Sequence, residues 1–417
     1  MLQVDFMSNV KNKVAIVAPG YAWLPCEPGP SRFYDIAMTF VRAGWKTDLI
    51  GSSFQHFEKK PRDIRLIRDQ HYPFKTTFVD GLPYKKNIDP VRVFGNYVLA
   101  ANILRYLEKH EFDLVYCAIP ANNIAASVGR YCRRRHIPLI IDVEDLWPEA
   151  MDMVIHSDLA KKFIYPFFSI DAEAAYACAD AVVGTSEDYT RRAVQNNRRR
   201  IPLRTVYVGC DLAAFDEGVR QFSSQIKKDP GEFWVSYAGS IGKSYDIQNL
   251  VRCAGLLEKS GHSDIRFKIL GTGPEKEECE QLARKLGCHN VCFEGYVDYP
   301  KMAAYLTRSD LVVNSFAQGA PQSIVNKIGD YLASGRPMLS TLGNPVFTSL
   351  VSQKDFGINV PAGQPAALAR EVLKLEKDPA LCARLGANAR RTAERQFDRV
   401  RSYKAITRLA DRLARQA

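Results

Sequence analysis

Short apolar runs alternate with longer amphipathic segments along the first half of this chain. The apolar runs have the length of buried strands and lie at residues 14–18, 47–50, 113–117, 138–142, 181–186 and 205–211. Segments with apolar residues at helical spacing separate several of these runs, at residues 33–43, 91–110 and 124–135. Continuous apolar strands separated by helices are typical of a parallel sheet that is covered on both faces. The pattern therefore predicts a doubly wound α/β domain.

The second half of the chain repeats this alternation. Its predicted strands lie at residues 234–238, 265–270, 291–293 and 311–313. A polar segment at 216–231 separates the two halves and is predicted to be a linker. We therefore expect an N-terminal domain at 1–215 and a C-terminal domain at 232–390. The helical segment at 391–417 is expected to pack back on the N-terminal domain.

Glycine-bearing loops follow three predicted strands of the second half. They contain Gly239 and Lys243 after the first strand, Gly271 and Gly273 after the second, and Gly295 after the third. The carboxyl ends of parallel strands meet at one edge of their sheet, where open α/β sheets bind ligands. Together these loops predict a cleft for a phosphorylated ligand.

The stretch that follows the strand at 311–313 is the most informative in the chain. A polar loop leads into a helix that is predicted to begin near Ser323 and to end at Gly335. A helix N-terminus presents backbone N–H groups and a positive dipole end to an anion. Lys327 and Asp330 are three residues apart and share a face of this helix. We predict a phosphate at the helix start and a ribose or sugar hydroxyl beside Asp330. The alternative is an ordinary strand–helix unit with a solvated Lys–Asp pair.

The first half has two comparable strand ends. The first predicted strand is followed by a loop rich in proline and glycine. This loop ends with Gly29, Pro30, Ser31 and Arg32. The fourth predicted strand is followed by Glu144 and Asp145. Carboxylates at the end of a buried strand are costly unless they are solvated or functional, so both positions are candidates for a site.

Composition excludes several classes of protein. With 417 residues, of which 46% are hydrophobic, the chain is long enough for two or three domains with packed cores. The sequence shows neither a signal-peptide pattern nor a run of about 18 apolar residues, so we expect a cytoplasmic protein without a transmembrane helix. The ten cysteines form no Cys-x-x-Cys pair, which favours reduced thiols over a zinc site.

The formal net charge of +11 calls for an anionic partner, and the basic clusters lie in the first half. Because no nucleic-acid-binding module accompanies them, nucleic acid is not expected as a partner. An anionic membrane surface is the second candidate, since Lys161 and Lys162 run straight into an aromatic stretch at 163–168 that can rest on a bilayer. Solvated lysines beside a buried aromatic segment are the alternative.

The order of motifs resembles that of the family-four retaining glycosyltransferases over nearly the whole chain. The motifs are Gly29-Pro30-Ser31-Arg32 with Ala43-Gly44-Trp45, Glu144-Asp145-Leu146-Trp147-Pro148, Gly209-Cys210-Asp211 through Phe215, Tyr237-Ala238-Gly239-Ser240, Leu270-Gly271-Thr272-Gly273-Pro274, Val291-Cys292-Phe293-Glu294-Gly295 and residues 326–337. The resemblance implies the GT-B fold, in which two Rossmann-like, doubly wound parallel-sheet domains face each other across a cleft. The Asp-Leu-Trp-Pro sequence is similar to that of enzymes that build bacterial surface polysaccharides.

The resemblance also implies that the C-terminal domain binds a nucleotide-diphospho-sugar as donor substrate, with no other cofactor. The implied donor-binding positions are Gly239, Ser240, Lys243, Gly271, Gly273, Gly295, Tyr296, Val297, Gln322, Ser323, Ile324 and Val325. The diphosphate would meet the amides of Ile324 and Val325, and Lys327 would counter its charge. The base would lie near Gly295 to Val297.

Two departures from the family pattern fall within this implied site. The paired glutamates of the family fall here on Gln322 and Asp330, so a charge beside the donor sugar is missing. The positions where the family commonly has arginine and lysine after the first strand of this domain hold Ser240 and Tyr245. Binding of the diphosphate would therefore depend more on Lys327.

The resemblance implies transfer with retention at the anomeric carbon, without a protein nucleophile and without a metal. Lys327 and Asp330 would act at the donor. Glu144, which stands where many relatives have histidine, would face the acceptor together with Asp145, and the loop that ends at Arg32 would contact the acceptor. Two alternatives stay open: a sugar-nucleotide epimerase of the same fold, and a non-catalytic nucleotide-sugar-binding subunit.

The expected acceptor is a lipid-linked glycan in the assembly of O-antigen or capsular polysaccharide. We expect the protein in the cytoplasm, with peripheral contact with the inner surface of the membrane. The sequence does not specify the donor sugar, the acceptor or the linkage.

Overall fold

The computed structural model describes residues 12–27, 32–68, 70–86, 89–147, 149, 157–195, 197–320 and 322–416. The chain forms two compact units, each built around its own sheet. The first unit consists of Met1–Val206 and Tyr403–Ala417, and the second consists of Tyr207–Ser402.

The first unit alternates strands with helices, as the sequence pattern predicts. Its strands are β1 (Lys13–Val17), β2 (Lys46–Ser52), β3 (Phe54–Gln55), β4 (Lys60–Pro61), β5 (Lys75–Val79), β6 (Leu114–Ile119), β7 (Leu139–Val143), β8 (Ala181–Gly184) and β9 (Leu203–Thr205). Its helices before the second unit are α1 (Arg32–Arg42), α2 (Ile64–Arg68), α3 (Pro90–Glu108), α4 (Asn122–Arg135), α5 (Asp158–Cys178) and α6 (Glu187–Val194).

The second unit repeats the alternation. Its strands are β10 (Phe233–Ala238), β11 (Ile265–Leu270), β12 (Val291–Gly295), β13 (Leu311–Asn314), β14 (Met338–Ser340) and β15 (Gly357–Asn359). Its helices are α7 (Leu212–Phe222), α8 (Ile247–Lys259), α9 (Lys276–Leu286), α10 (Tyr299–Arg308), α11 (Ile328–Ala333), α12 (Pro345–Lys354), α13 (Pro365–Lys377), α14 (Pro379–Thr392) and α15 (Arg399–Ser402). The chain then returns to the first unit with α16 (Lys404–Ala414).

The sheet of the first unit has seven parallel strands in the order β5-β2-β1-β6-β7-β8-β9. The strand order reverses between β1 and β6, and such a switch point opens a crevice at the carboxyl ends of the two strands. Alternate residues of β1 enter two cores on opposite faces of the sheet. Ala15 and Val17 pack with α3, α4 and α5, whereas Val14 and Ile16 pack with α1 and α16.

The sheet of the second unit has six parallel strands in the order β12-β11-β10-β13-β14-β15. Its switch point lies between β10 and β13, so the loops after these two strands border the crevice. Val235 and Tyr237 of β10 pack with α8 and α13, and Ala238 packs with α10 and α11. The predicted pair of Rossmann-like, doubly wound parallel-sheet domains is confirmed.

The limits of the two units differ from the predicted domain limits. The first boundary falls after Val206 rather than at 215, and the second unit extends to Ser402 rather than to 390. The segment 216–231, predicted to be a linker, begins within α7 and continues into a 3₁₀ turn at Ser223–Gln225. Helix α7 packs on α10, because glycine at position 218 allows the backbone of Pro300 to approach closely.

Two further observations bear on the class of protein. All ten cysteines are free thiols. Among the described residues, no helix combines the length and the apolar character that crossing a bilayer requires.

Candidate active site

Three glycine-bearing loops pack against one another at the carboxyl edge of the second sheet. The Gly239 amide donates to the Leu270 carbonyl, and the Gly271 amide donates to the Gly295 carbonyl at 2.6 Å. A Cβ atom on Gly271, which has a φ of +139°, would lie 1.9 Å from the carbonyl oxygen of Gly239. Only glycine allows such an approach. The predicted glycine loops therefore form one continuous backbone wall, which we call the glycine wall.

Lys327 lies beside the glycine wall, among three aromatic rings. Its Nζ donates to Tyr237 Oη at 3.0 Å, and a Cβ atom on Gly239 would lie 3.0 Å from the same nitrogen. The Nζ atom lies 4.2, 4.1 and 5.6 Å from the ring centroids of Tyr237, Tyr245 and Phe316. Burial lowers the pKa of Lys327 to about 7, while the ring faces favour the ammonium form. Because no described carboxylate pairs with Lys327, its charge is available to an anionic ligand.

The helix after β13 begins later than the sequence suggests. Helix α11 begins at Ile328 rather than near Ser323, so the amides of Ile324 and Val325 lie in the turn before it. Neither amide donates to an acceptor among the described residues. These two N–H groups, rather than the N-terminus of a helix, are the backbone donors that the turn offers to an anion.

Two neighbouring residues of α11 are held by hydroxyl contacts. Tyr331 Oη accepts from the Ala238 amide at 2.8 Å and donates to the Ala238 carbonyl at 2.9 Å, which fixes α11 to the end of β10. Asp330 accepts from Tyr299 Oη at 2.8 Å. Burial raises the pKa of Asp330 to about 6, and the Tyr299 contact opposes this shift. Asp330 is therefore mostly ionised at neutral pH and can accept further hydrogen bonds from a ligand.

Three of the remaining predicted donor residues are exposed to solvent in this part of the unit. Ser240 and Lys243 follow β10, and Tyr296, which is 77% exposed, follows β12. The Ser240 carbonyl accepts from Tyr237 Oη at 2.6 Å, which connects the exposed loop to the ring beside Lys327.

The other predicted donor residues are buried or partly buried. A Cβ atom on Gly273 would lie 2.1 Å from the carbonyl oxygen of Ile241, which extends the close packing of the glycine wall. Val297 packs on the core between α10 and α11, and Ser323 is 2% exposed. The Oε1 atom of Gln322 is buried and has no hydrogen-bond partner among the described residues, so it can accept from a ligand.

In the first unit, Arg32 holds two carboxylates at the end of β7. The Arg32 side chain is 3% exposed. Its Nη2 atom donates to both carboxylate oxygens of Asp142, at 3.0 and 3.1 Å, and its Nε atom lies 2.6 Å from Glu144 Oε1. The guanidinium also donates to Tyr403 Oη at 3.1 Å. The predicted contact of Arg32 with an acceptor stays a prediction, since in this structure the guanidinium is engaged by buried partners, among them Glu144.

The two predicted acceptor-side carboxylates follow directly on β7. Burial raises the pKa of Glu144 to about 8, against the opposing effect of Arg32. Burial also raises the pKa of Asp145, whose Oδ1 accepts from the Leu146 amide at 3.0 Å. A carboxyl group that can carry a proton near neutral pH is suited to proton transfer or to hydrogen bonding with a hydroxyl.

A pocket opens at the switch point of the first sheet, beside these carboxylates. Its polar lining includes Tyr21, His56, Tyr84 and Arg92, and the loops after β1 and β6 form its floor. His56 Nδ1 lies 2.5 Å from Tyr84 Oη, and burial together with Arg92 and Lys59 lowers the pKa of His56 to about 4. The imidazole is therefore neutral at physiological pH.

The same pocket lies next to the acidic stretch after β7. The pKa of Tyr21 is raised by burial and then by the charges of Glu144 and Asp145, which places these carboxylates near the pocket. The Arg92 guanidinium lies 5.8 Å from the ring of Trp147, which belongs to that stretch. Sequence reasoning did not identify this pocket, because its residues are dispersed and carry no motif.

Two predicted acceptor-side residues, Gly29 and Pro30, lie outside the described residues. Elsewhere, within the part of the chain that the structure describes, no three His, Cys, Asp or Glu side chains are close enough together to hold a metal ion.

The chain is similar in sequence to known glycosyltransferases. Residues 219–392 match the protein family described as "Glycosyl transferases group 1". EpsD of Bacillus subtilis (strain 168), which carries the name of a glycosyltransferase, is 21% identical over 332 residues, 77% of this chain and 82% of its own length. The lipopolysaccharide core biosynthesis glycosyltransferase LpsD of Rhizobium meliloti (strain 1021) is 29% identical over 141 residues, 33% of this chain and 38% of its own length.

A solved structure shares the fold over nearly all of the chain. Anabaena HepE in complex with UDP superposes with a TM-score of 0.69 at 14% identity, covering 96% of this chain and 100% of the HepE chain. The fold is therefore GT-B, as the resemblance implied.

The chain has the GT-B fold, and its residues 219–392 match the group 1 glycosyltransferase family.

Proposed function

We propose that this protein is a retaining, metal-independent glycosyltransferase, and that it works at the cytoplasmic face of the inner membrane in the assembly of a bacterial surface polysaccharide. The donor is a nucleotide-diphospho-sugar bound by the second unit, and the acceptor is a lipid-linked glycan bound by the first unit. The observation that carries the proposal is the position of Lys327. A lysine that pairs with no carboxylate among the described residues lies beside the glycine wall, at the switch point of a parallel sheet.

The donor side supplies fixed positive charge and N–H groups where the reaction develops negative charge. When the bond between the anomeric carbon and the diphosphate breaks, the electron pair stays on the departing phosphate oxygen. Lys327 and the amides of Ile324 and Val325 stabilise that charge without reorganisation, which is the usual source of the largest catalytic effect. Asp330 accepts from the ribose hydroxyls, and Gln322 Oε1 accepts from a hydroxyl of the donor sugar.

Retention without a protein nucleophile requires the acceptor hydroxyl to attack the anomeric carbon of the donor sugar from the same face as the departing diphosphate. The proton of that hydroxyl then passes to the departing phosphate oxygen. In the first unit, Glu144 and Asp145 hydrogen-bond the acceptor sugar, and the pocket lined by Tyr21, His56 and Arg92 holds its remainder. HepE has been solved with UDP and with UDP-glucose, so uridine nucleotides are the first donors to test.

The test is the release of nucleoside diphosphate from UDP-, GDP- and dTDP-sugars, with and without lipid-linked acceptors. We expect release from one donor only when an acceptor is present, unchanged by a chelator, and a product whose anomeric configuration by NMR equals that of the donor. Lys327→Ala and Asp330→Ala should each lower the rate by at least about a hundredfold. An inverted product, or a rate unchanged in Lys327→Ala, would contradict the proposal.

Two other outcomes would assign a different function. Conversion of one nucleotide sugar into another without acceptor would indicate an epimerase. Tight nucleotide-sugar binding without transfer to any acceptor would indicate a non-catalytic subunit, for which the neutral Gln322 is the structural argument.

A further inference from the structure

Two helices of the first unit present large apolar side chains to solvent on the same side of the sheet. Helices α3 and α5 both pack their inner faces into the core formed with α4. Their outer faces carry an apolar stripe each. We call the two stripes together the α3/α5 face; its members are Val91, Phe94 and Tyr97 on α3, and Leu159, Phe163, Pro166 and Ile170 on α5.

The stripe on α5 has helical spacing and high exposure. Leu159, Phe163 and Ile170 are 69%, 75% and 68% exposed, and Pro166 between them is also exposed. Positions 159, 163, 166 and 170 follow one another by four, three and four residues, so they form one line along the helix. Four consecutive members of one line that are all apolar and all exposed are unusual for a solvated helix, because such surface is normally buried against a partner.

The stripe on α3 continues this surface. Phe94 is 64% exposed, with Val91 at 48% and Tyr97 at 42%. Tyr97 Oη donates to Asp171 Oδ2 at 3.1 Å, and Asp171 directly follows the last member of the α5 stripe. The hydrogen bond therefore brings the two stripes side by side.

Exposed cations flank the members of the α3/α5 face along the chain. Lys162 immediately precedes Phe163 on α5, and Lys85 and Lys86 precede α3. Burial and Asp171 raise the pKa of Tyr97, and the exposed Arg130 of α4 opposes this shift. An apolar surface bordered by exposed lysine and arginine is complementary to an anionic bilayer, in which headgroups pair with the cations while aromatic rings enter the acyl boundary.

We propose that the α3/α5 face docks on the surface of an anionic membrane, with Phe94 and Phe163 inserted below the headgroups. The position of the α3/α5 face is consistent with the lipid-linked acceptor of the proposed function, on which this part of the argument rests. Residues Arg92, Gly95 and Leu99 of α3 line the acceptor-side pocket, and Val91 and Phe94 on the same turns belong to the face. A lipid-linked glycan could thus keep its lipid in the bilayer while its sugar enters the pocket.

The test is co-sedimentation of the full chain with vesicles of phosphatidylethanolamine and phosphatidylglycerol, against vesicles of phosphatidylcholine. It needs neither donor nor acceptor, so its failure is distinct from failure of the proposed transferase activity. We expect binding to the anionic vesicles only, and at least about a tenfold lower partition coefficient for Phe94→Ser/Phe163→Ser. Lys162→Glu/Arg130→Glu should lower it by about tenfold or more, with a loss of salt dependence.

The matched control is Ile64→Ser/Leu66→Ser. These residues of α2 are 50% and 53% exposed, but α2 packs through Ile67 on the opposite face of the sheet. This variant should bind like the wild type, and circular dichroism should show that both variants are folded. Equal loss in the control, or equal binding by the Phe94→Ser/Phe163→Ser variant and the wild type, would overturn the proposal. A wild type that ignores the vesicles but forms a dimer that this variant lacks would assign the face to a second copy of the chain.

Discussion

At the scale of single residues, we expect Lys327 to couple binding of the proposed donor to pH. Its pKa of about 7 leaves the side chain half neutral at neutral pH in the unliganded protein. A bound diphosphate favours the ammonium form and raises this pKa, so binding takes up a proton above about pH 7 and none well below it. We therefore expect the affinity for UDP-glucose to fall as the pH rises above about 7, by up to tenfold per pH unit.

Isothermal titration calorimetry in buffers of different ionisation enthalpy measures this proton uptake directly. UDP-glucose is a suitable ligand, because its diphosphate does not titrate near neutral pH. The variant Lys327→Met should bind more weakly and without the pH dependence. Lys243→Met, which changes an exposed lysine after β10, should keep the dependence. A wild-type affinity that is constant between about pH 6 and about pH 8.5 would contradict the assignment of Lys327 to the diphosphate.

A second prediction at this scale concerns the buried ion pair of the first unit. Arg32→Ala leaves the carboxylate of Asp142, which is fully buried, without its partner. Removing one partner of a buried pair costs about 3–5 kcal/mol, so the free energy of unfolding of the first unit should fall by about this amount in urea denaturation.

The control for Arg32→Ala is Arg65→Ala. Arg65 is paired with Asp63 at the surface, and both side chains are largely exposed, so solvent and salt screen the interaction. We expect little change in stability for this variant. Equal stability of the two variants would show that the Arg32 contacts do not hold the end of β7 in place.

The sequence identifies the charged residues of the site better than it identifies their surroundings. The spacing predicts Lys327 and Asp330 on one helical face, whereas α11 begins only at Ile328. Their side chains contact different partners, Tyr237 for Lys327 and Tyr299 for Asp330. The rings of Tyr245 and Phe316 beside Lys327 come from other loops, so only the folded chain brings them together. Arg32 lies in a motif at the junction of a loop and a helix, which suggests exposure. In the folded chain it is buried against Asp142 of β7, 110 residues later in the sequence.

At the scale of elements, the glycine wall depends on contacts between loops rather than on flexibility. Gly271→Ala would place a Cβ atom 1.9 Å from the Gly239 carbonyl oxygen, and neither backbone can move without disturbing the other loop. We expect at least about a tenfold loss of UDP-glucose affinity and a lower free energy of unfolding for the second unit. Calorimetry and thermal unfolding measure the two effects.

Gly261→Ala separates the steric effect from backbone strain. Gly261 also has a positive φ, +87°, but a Cβ atom there would meet nothing within 4 Å. It should therefore show only the strain of a left-handed alanine, about 1 kcal/mol, with donor affinity unchanged. If Gly271→Ala bound UDP-glucose as well as Gly261→Ala does, the packed loops would have no part in the donor site.

Strands of four or more residues that are buried on both faces are the ones that the sequence predicts best, whereas the buried but three-residue β14 was missed. Strand β11 has the predicted limits, and β1 differs by one residue at each end, because continuous apolar runs leave little choice of structure. Strand β5 was missed, since it lies at the edge of the sheet and none of its residues is fully buried. The sequence analysis assigned most of helix α7 to a linker, because polar residues run on from it to position 231. The packing of α7 on α10 is a tertiary contact, which a local sequence pattern does not reveal.

At the scale of the whole molecule, the donor site and the acceptor-side carboxylates belong to different units. Lys327, Asp330 and the glycine wall lie within Tyr207–Ser402, whereas Glu144 and Asp145 lie in the first unit. The two ends of the second unit are joined to each other. The Cys210 amide donates to the Phe397 carbonyl at 2.9 Å, and the Arg399 amide donates to the Cys210 carbonyl at 3.1 Å.

A fragment limited to 207–402 should therefore fold alone and bind the donor, but transfer no sugar. We expect its UDP-glucose affinity, measured by calorimetry, to be close to that of the full chain, and acceptor-dependent release of UDP to be absent. The shorter fragment 232–390 lacks both α7 and the paired ends, which leaves the surface of α10 uncovered, and should be unstable by circular dichroism. Since the site residues are the same in both fragments, this comparison tests the unit limits. A folded 207–402 fragment that does not bind UDP-glucose, when the full chain does, would show that the donor site needs residues of the first unit.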